Sequence, residues 1–139
     1  MNTEQLYQLI EDGFVQRNKH PNHELYIYNY TAKAQYERVW NEITLACRGL
    51  ILNHNHEIIA RPFAKFFNLG EMENQHFPNE TFEVYEKMDG SLGIIYFIND
   101  VPFIATRGSF TSEQSKKANE LLNTKYQDSI STLNRNHTY

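Results

Sequence analysis

The sequence predicts an α+β fold, mainly an antiparallel sheet with flanking helices. Residues 24–30 are β-prone, and their side chains alternate in the pattern of a strand whose two faces are both covered. Two short apolar runs, 50–52 and 58–60, enclose a polar stretch rich in asparagine, which tolerates a positive φ and so predicts a hairpin turn. Apolar residues at helical spacing predict helices over 3–17 and from 111 to about 126. Because hairpins join neighbouring strands, the sheet is expected to be antiparallel.

The first predicted helix has its apolar positions on one face, and Asn2 or Thr3 is suited to cap its first turn. Those positions are Leu6, Leu9, Ile10 and Phe14. After strand 24–30, residues 34–45 fit a short helix or an irregular helical segment. Residues 61–69 combine aromatic and basic side chains with Pro62, which interrupts any ladder of hydrogen bonds.

Three further strands are predicted in the second half of the chain. Residues 81–85 and 92–98 are apolar and β-prone and would form a hairpin around Lys87. Asn99-Asp100 is a turn signal leading into a strand over 101–106. Thr111 to Gln114 have the spacing of a capping box, so a helix is expected to follow. The polar tail, residues 127–139, is expected to be frayed.

Composition indicates one domain, or part of one, since the chain has 139 residues. Hydrophobic residues make up 40% of it, enough for a core. The chain has 13 basic and 17 acidic side chains and therefore a net charge of −4. This balance argues against a nucleic-acid binder that works by overall charge. A local basic groove stays open.

Cysteine usage and hydropathy indicate a cytoplasmic protein. Cys47 is the single cysteine, so no intrachain disulfide is possible and a reducing compartment fits. The first five residues lack the basic and apolar pattern of a secretory signal. No apolar stretch approaches the roughly 18 residues needed to cross a bilayer, so no membrane partner is expected.

Lys87, followed by Asp89-Gly90-Ser91 in the predicted turn, is a candidate nucleophile. A free lysine has a pKa near 10.4 and is protonated at neutral pH, so attack on phosphorus requires burial, a nearby cation or a metal. Arg48, Lys65 and Arg107 stand at the ends of predicted strands or loops, where they would converge on a triphosphate. The alternative is an exposed hairpin in which Asp-Gly is only turn chemistry.

Other chemically suggestive residues have ordinary explanations. The histidine pairs 20/23 and 54/56 are expected to be solvated loop residues, because a metal site needs more convergent ligands. Cys47 is expected to be a small buried hydrophobe, and Trp40 a core residue. Three glutamates are candidates for magnesium only through water, and their spacing singles out none of them. They are Glu57, Glu71 and Glu86.

Lys87-Met88-Asp89-Gly90 resembles motif I of the covalent nucleotidyltransferases, which are the DNA ligases, RNA ligases and mRNA capping enzymes. The flanking segments resemble, in order and spacing, the phage tRNA-repair RNA ligases over about residues 25–125. Those segments are Tyr28-Asn29-Tyr30, Ala46-Cys47-Arg48-Gly49-Leu50, residues 61–69, Glu86 to Ser91, Arg107-Gly108-Ser109 and Ser112-Glu113-Gln114. The resemblance implies a partial nucleotidyltransferase domain of the ATP-grasp-like ligase type.

The resemblance also implies roles for individual residues. Lys87 would carry AMP, and Arg48 and Lys65 would contact the ATP phosphates or the ribose side. Phe67 would help to form the nucleotide pocket, and Gly90 would keep the loop close to the nucleotide. Four further residues are expected on the nucleotide side: Glu86, Asp89, Arg107 and Tyr28. Arg107 is an arginine where the family is expected to have lysine, and Tyr28 fits a core or cross-strand position equally well.

The implied function is an ATP-dependent RNA ligase, or a fragment of one, that uses ATP and Mg²⁺ to join an RNA 5′-phosphate to a 3′-hydroxyl. The glutamate motifs and terminal lysine pair expected later in that family have no counterpart after Arg107. The chain is therefore expected to be a single domain, 1–139, that matches the N-terminal portion of the family's domain. The alternative is a catalytically incomplete nucleotide- or partner-binding fragment that needs a second chain.

Overall fold

The structure is a computed structural model that describes residues 2–72, 75 and 79–139. It has an α+β architecture with two antiparallel sheets and flanking helices, as predicted. The helices are α1 (Thr3–Glu11), α2 (Ala32–Tyr36), α3 (Glu42–Ala46), α4 (Glu113–Asn123) and a 3₁₀ helix (Gln127–Thr132). The strands are β1 (Val15–Lys19), β2 (Leu25–Tyr30), β3 (Arg48–Asn53), β4 (Ile58–Ala60), β5 (Gly93–Ile98) and β6 (Val101–Thr106).

Strands β1 to β4 form one sheet in chain order, and β5 and β6 form a separate hairpin. The predicted β3–β4 hairpin is confirmed, although the positive φ of its turn, 62°, falls on His56 and not on an asparagine. The predicted turn at Asn99-Asp100 is also confirmed. Both residues have positive φ, 47° and 69°, as a two-residue type I′ turn requires.

The first helix is shorter than predicted. Asn2 caps it as expected, since its Oδ1 accepts a hydrogen bond from Gln5 N at 3.2 Å. The helix ends at Glu11 because Gly13 adopts a positive φ of 78° and reverses the chain. Residues 15–19, the first three of which were assigned to the helix, instead form β1 and pair with β2.

The helical segments after β2 and β6 also differ in detail from the prediction. Residues 34–45 were expected as one segment, but α2 and α3 are separate helices with Arg38, at a φ of 55°, between them. Ser112 caps α4 by accepting from Ser115 N at 3.1 Å, and the helix ends at Asn123. The tail prediction was wrong, because Gln127–Thr132 forms a 3₁₀ helix.

Both faces of the four-stranded sheet are covered, as the alternation in β2 predicted. On one face, Ile27 and Ile51 pack with Ile94 and Ala105 of the β5–β6 hairpin. On the other, Tyr28 packs with Leu6 of α1, Ile43 of α3 and the neighbouring apolar residues, which are Val15, Cys47, Leu50 and Leu52. Burying these side chains supplies the main driving force that joins the two layers.

The strand predicted over residues 81–85 is wrong. Residues 81–92 have no regular secondary structure, and Phe82, Val84 and Tyr85 are exposed. β6 occupies one edge of β5, and at the other edge Ile95 N donates to Tyr139 O at 2.8 Å. Residues 81–85 would have to pair with this second edge of β5, where Ile95 is already hydrogen-bonded. A strand without a partner would leave its backbone N–H and C=O groups unpaired, so none forms.

Within the described residues, no helix has the length and apolar character required to cross a bilayer.

Gly49 provides a test of how closely the two layers approach. Its φ is 90°, and a Cβ there would overlap Ile94 Cδ1 and lie 3.3 Å from the carbonyl oxygen of Arg107. Gly49→Ala is therefore expected to lower the free energy of unfolding by about 3 kcal/mol, combining backbone strain with overpacking. Gly70→Ala is the matched control, since Gly70 also has a positive φ, 78°, but nothing within 4 Å of a Cβ. Equal losses in urea denaturation would contradict the close approach.

Cys47 predicts a pH dependence of stability. It is fully buried, and burial raises the pKa of its thiol to about 12. A thiol in the unfolded chain has a pKa near 8.5, so its contribution to stability is present below that pH and is lost as pH rises toward 12. Between about pH 9 and 11, the unfolding free energy of the wild type should fall faster than that of Cys47→Ala by about 1.4 kcal/mol per unit. Parallel curves would contradict a buried neutral thiol.

Candidate functional site

A row of three polar side chains crosses the four-stranded sheet where it faces the β5–β6 hairpin. Gln16 of β1 is the register partner of Asn29 of β2, and Asn29 is the partner of Arg48 of β3. The register of β2 and β3 shifts at this point, passing from Tyr28↔Leu50 to Asn29↔Arg48 and leaving Gly49 unpaired. Such a bulge re-aims the next side chain, so Arg48 comes to stand beside Asn29.

This row forms one wall of a polar cavity of about 570 Å³. A second wall is the turn after β6, residues 106–109, and a third is formed by residues 90–92, which end the Lys-Met-Asp-Gly-Ser stretch. Among the described residues, two cationic side chains, Arg48 and Arg107, line it, and no acidic side chain does. The cavity is therefore suited to an anion, since arginine binds phosphate oxygens with paired hydrogen bonds.

The turn that carries Arg107 is fastened to the sheet by short polar contacts. Asn18 Nδ2 of β1 donates to Gly108 O at 2.7 Å, which joins the turn to the sheet. Thr106 N donates to Ser109 O at 2.9 Å, which closes the turn itself. Gly108 lies tightly against β1, because a Cβ there would come within 3.0 Å of Gln16 Nε2. Arg107 is thus held at the rim of the cavity by its backbone while its side chain remains exposed.

A chain of aromatic and cationic side chains leads from Arg107 to Lys65. Arg107 Nη1 donates to Tyr30 Oη at 3.2 Å, and its guanidinium lies 5.2 Å from the Tyr30 ring centre. Trp40 packs edge-on against Tyr30, with ring centres 5.2 Å apart, and against Phe67 at 5.4 Å. Lys65 Nζ lies 4.2 Å from the centre of the Phe67 ring. Lys65 and Arg107 are far apart in the sequence and were expected to converge; packed rings connect them.

Arg48 is shared between the cavity and the segment that follows β4. It is half-buried; its Nη1 donates weakly to Phe63 O at 3.4 Å, and its guanidinium lies 5.2 Å from the Phe66 ring centre. Phe63 is 85% exposed and Phe66 57% exposed, so segment 63–66 covers Arg48 without itself being covered. Stacking on an aromatic ring keeps the guanidinium oriented while leaving donors for a ligand.

Lys87 does not lie in the strand–turn–strand hairpin predicted for it. Glu86, Lys87, Asp89 and Gly90 are all exposed, and of these four only Gly90 lines the cavity. Because 81–85 forms no strand, no described strand precedes Lys87 to hold it against a sheet. Only Met88 and Asp89 lie between Lys87 and Gly90, so the Lys87 Cα is three steps along the chain from the Gly90 Cα at the cavity wall and within about 11 Å of it.

Tyr28 belongs to the core and not to the cavity. It is 1% exposed in the core cluster with residues of α1 and α3, and burial raises its pKa. Of its neighbours, Asn29 lines the cavity and Tyr30 contacts Arg107. Of the two positions considered for Tyr28, the core position is the one observed; strand alternation alone does not reveal which face meets the hairpin.

Sequence reasoning missed Gln16, Asn29, Tyr30 and Trp40 as site residues. Tyr30 and Asn29 stood within the tyrosine segment already quoted, whereas Gln16 and Trp40 carried no signal in their spacing. Trp40 was expected in the core, but it is half-buried between Tyr30 and Phe67.

The described residues hold no group of three or more histidine, cysteine, aspartate or glutamate side chains that could bind a metal ion. Histidines 23 and 54 are exposed, as expected of loop residues, but two others have tertiary contacts. His56 Nε2 is hydrogen-bonded to Tyr7 Oη at 3.1 Å. His20 packs on Phe110, with ring centres 4.8 Å apart, and burial lowers its pKa.

Comparison with known proteins agrees with the resemblance seen in the motifs. A family model described as RNA ligase matches residues 46–138. A putative bifunctional polynucleotide kinase/RNA ligase of Autographa californica nuclear polyhedrosis virus is 35% identical over 111 residues. That match covers 71% of this chain and 16% of the viral protein, so this chain corresponds to a small part of that relative's length. Because the family match extends over more than half of the sequence, the chain belongs to the RNA ligase family.

Proposed function

We propose that this chain carries the nucleotide-transfer site of an ATP-dependent RNA ligase and that Lys87 forms a covalent lysyl-AMP intermediate. The observation that carries the proposal is the cavity in which Arg48, Arg107 and the Gly90-Ser91 end of the lysine motif meet. Membership of the RNA ligase family and the motif Lys87-Met88-Asp89-Gly90 support the same conclusion.

The proposed reaction has three steps. In the first, the neutral Lys87 amine attacks the α-phosphorus of ATP; an N–P bond forms, the bond to the bridging oxygen breaks and pyrophosphate leaves, while the amine loses a proton to solvent. In the second, an oxygen of the RNA 5′-phosphate displaces the lysine, forming a pyrophosphate linkage to AMP. In the third, an RNA 3′-hydroxyl attacks that 5′-phosphate and releases AMP, leaving a phosphodiester bond.

The protein's contribution to these steps is positioning and charge stabilisation, as in phosphoryl transfer generally. In the proposed site, Arg48 and Arg107 hold the triphosphate between the sheet and the turn after β6. Lys65 and Phe67, reached through Trp40 and Tyr30, form the adjoining side of the nucleotide site. Nearby cations also disfavour the protonated form of a lysine that approaches them. The protonated amine cannot attack phosphorus, so this effect favours the reactive form.

Lys87 must come to the cavity for this chemistry, because its side chain is exposed. Its place three residues before Gly90, on a stretch without regular structure, allows that approach with no rearrangement of the sheet. The family is associated with Mg²⁺, but the described residues hold no cluster of ligands for it. We therefore assign no step to a protein-bound magnesium ion; Mg²⁺ would enter with the ATP phosphates.

The second candidate function is a binding fragment that lacks catalysis until a second chain joins it. The segment around Lys87 favours this reading, because Phe82, Val84, Tyr85 and Met88 are each at least 75% exposed. Apolar side chains in such a contiguous stretch are typical of a surface that another segment covers. The small share of the viral relative that this chain matches is consistent with it.

Covalent labelling separates the two candidates. Purified protein incubated with α-³²P-labelled ATP and Mg²⁺ should give a radioactive band on a denaturing gel. Lys87→Ala should reduce that band by at least 100-fold, because the attacking amine is gone. Lys125→Ala is the matched control, since Lys125 is an exposed lysine beside Tyr126 and away from the cavity, and should label like the wild type.

Three outcomes would overturn parts of the proposal. A band that persists in Lys87→Ala would remove Lys87 as the nucleophile. No band from the wild type, together with measurable ATP binding, would favour the binding fragment. Stronger labelling with α-³²P-labelled GTP than with ATP would instead point to a capping-type specificity.

Arg107→Ala should weaken ATP binding by about 10- to 100-fold, because hydrogen bonds to a charged group contribute about 1.5–3 kcal/mol. Arg135→Ala is the control, since Arg135 is exposed and paired with Asp100 at the far end of the β5–β6 hairpin. Titration calorimetry with ATP and Mg²⁺ provides the measurement. Equal affinities for the wild type and Arg107→Ala would exclude Arg107 from the phosphate site.

A further inference from the structure

Asn29 is a buried polar residue with one hydrogen-bonding atom left unused. The residue is 6% exposed and lines the polar cavity between Gln16 and Arg48. Its Nδ2 donates to Tyr30 O at 2.8 Å, whereas its Oδ1 has no hydrogen-bond donor. It is the one buried side-chain atom in this condition among the described residues.

The orientation of the Asn29 amide follows from its single hydrogen bond. The Tyr30 carbonyl oxygen can only accept, so the amide nitrogen, and not the oxygen, must face it. Turning the amide over would place two acceptors in contact and still leave a buried group unpaired. Because an unpaired buried acceptor is costly, its persistence beside a cavity indicates a partner that arrives with a ligand.

The chemistry of the cavity limits which donor group could be the partner of Asn29 Oδ1. Arg48 is directly opposite Asn29 on the neighbouring strand, so an anion held by Arg48 lies next to the Asn29 amide. The ionised phosphate oxygens are acceptors and cannot satisfy Oδ1. The nearest donors that accompany a phosphate in a nucleotide are the hydroxyls of its ribose, because the sugar lies between the phosphate and the amino group of the base.

We propose that Asn29 is a specificity-determining residue whose Oδ1 accepts a hydrogen bond from a ribose hydroxyl of the bound nucleotide. The site then favours a ribonucleotide over the corresponding deoxynucleotide. This inference rests on the proposed function, since it assumes that ATP is the nucleotide in the cavity. The Arg107–Ser109 turn, in which Gly108 lies against Gln16 and Asn29, must yield slightly for the hydroxyl to reach the buried oxygen.

Equilibrium binding of three nucleotides tests the proposal. Titrations with ATP, 2′-deoxy-ATP and 3′-deoxy-ATP, each with Mg²⁺, would be made on the full chain carrying Lys87→Ala, which prevents covalent capture. At least one deoxynucleotide should bind about three- to tenfold more weakly than ATP, the range of one neutral hydrogen bond. In Asn29→Leu that difference should vanish, since leucine has a similar shape and no acceptor.

Two companion variants separate recognition from folding. Asn29→Asp keeps an acceptor at the same position, so it should retain the preference for ATP even though its charge weakens the binding of all three nucleotides. Asn55→Leu makes the same chemical change in the exposed β3–β4 turn and should leave every affinity unchanged. Thermal unfolding of each variant reports whether the protein is folded.

The outcomes distinguish this proposal from the proposed function. Equal affinity of the Lys87→Ala chain for all three nucleotides, or a preference that survives in Asn29→Leu, overturns the role of Asn29 and leaves the ATP site intact. No binding of any of the three nucleotides overturns both. A preference for ATP that Asn29→Leu abolishes and Asn29→Asp retains supports the role assigned here.

Discussion

The close contact between β3 and the β5–β6 hairpin at Gly49 is the constraint on which the site depends. A side chain there would meet Ile94 and the backbone of Arg107, so only glycine allows the two layers to approach this closely. The same residue is left out of the β2–β3 register, and this bulge places Arg48 opposite Asn29. One glycine therefore both brings Arg107 to the sheet and turns Arg48 toward it.

The net charge of the molecule and the charge of its cavity have opposite signs. The chain carries a net −4, yet the part of the chain that the structure describes lines the cavity with two arginines and no carboxylate. Aromatic rings support these cations, with Tyr30 beneath Arg107 and Phe66 beneath Arg48. Because a guanidinium on a ring face is oriented without being neutralised, the site keeps its attraction for anions where a salt bridge would have cancelled it.

Local signals predicted the elements that local chemistry controls. The turn at Asn99-Asp100 and the cap at Asn2 follow from side chains that tolerate positive φ or accept backbone hydrogen bonds. Strand β2 followed from its alternation, although alternation could not tell that Tyr28 faces the core while Asn29 faces the cavity. The prediction of a strand over 81–85 was wrong. The segment has the apolar pattern of a strand, but the edge of β5 on which it would pair is already hydrogen-bonded at Ile95.

The family, the antiparallel α+β architecture and the stretch in which the nucleophile is proposed to lie can all be inferred from residue order and spacing. Which polar residues meet cannot be inferred in that way, because it depends on how the folded segments pack. Gln16, Asn29 and Arg48 belong to three different strands, and Arg107 to a turn far along the chain. Their convergence depends on strand register and on one bulge, and register is set by packing across the sheet, which no single segment encodes.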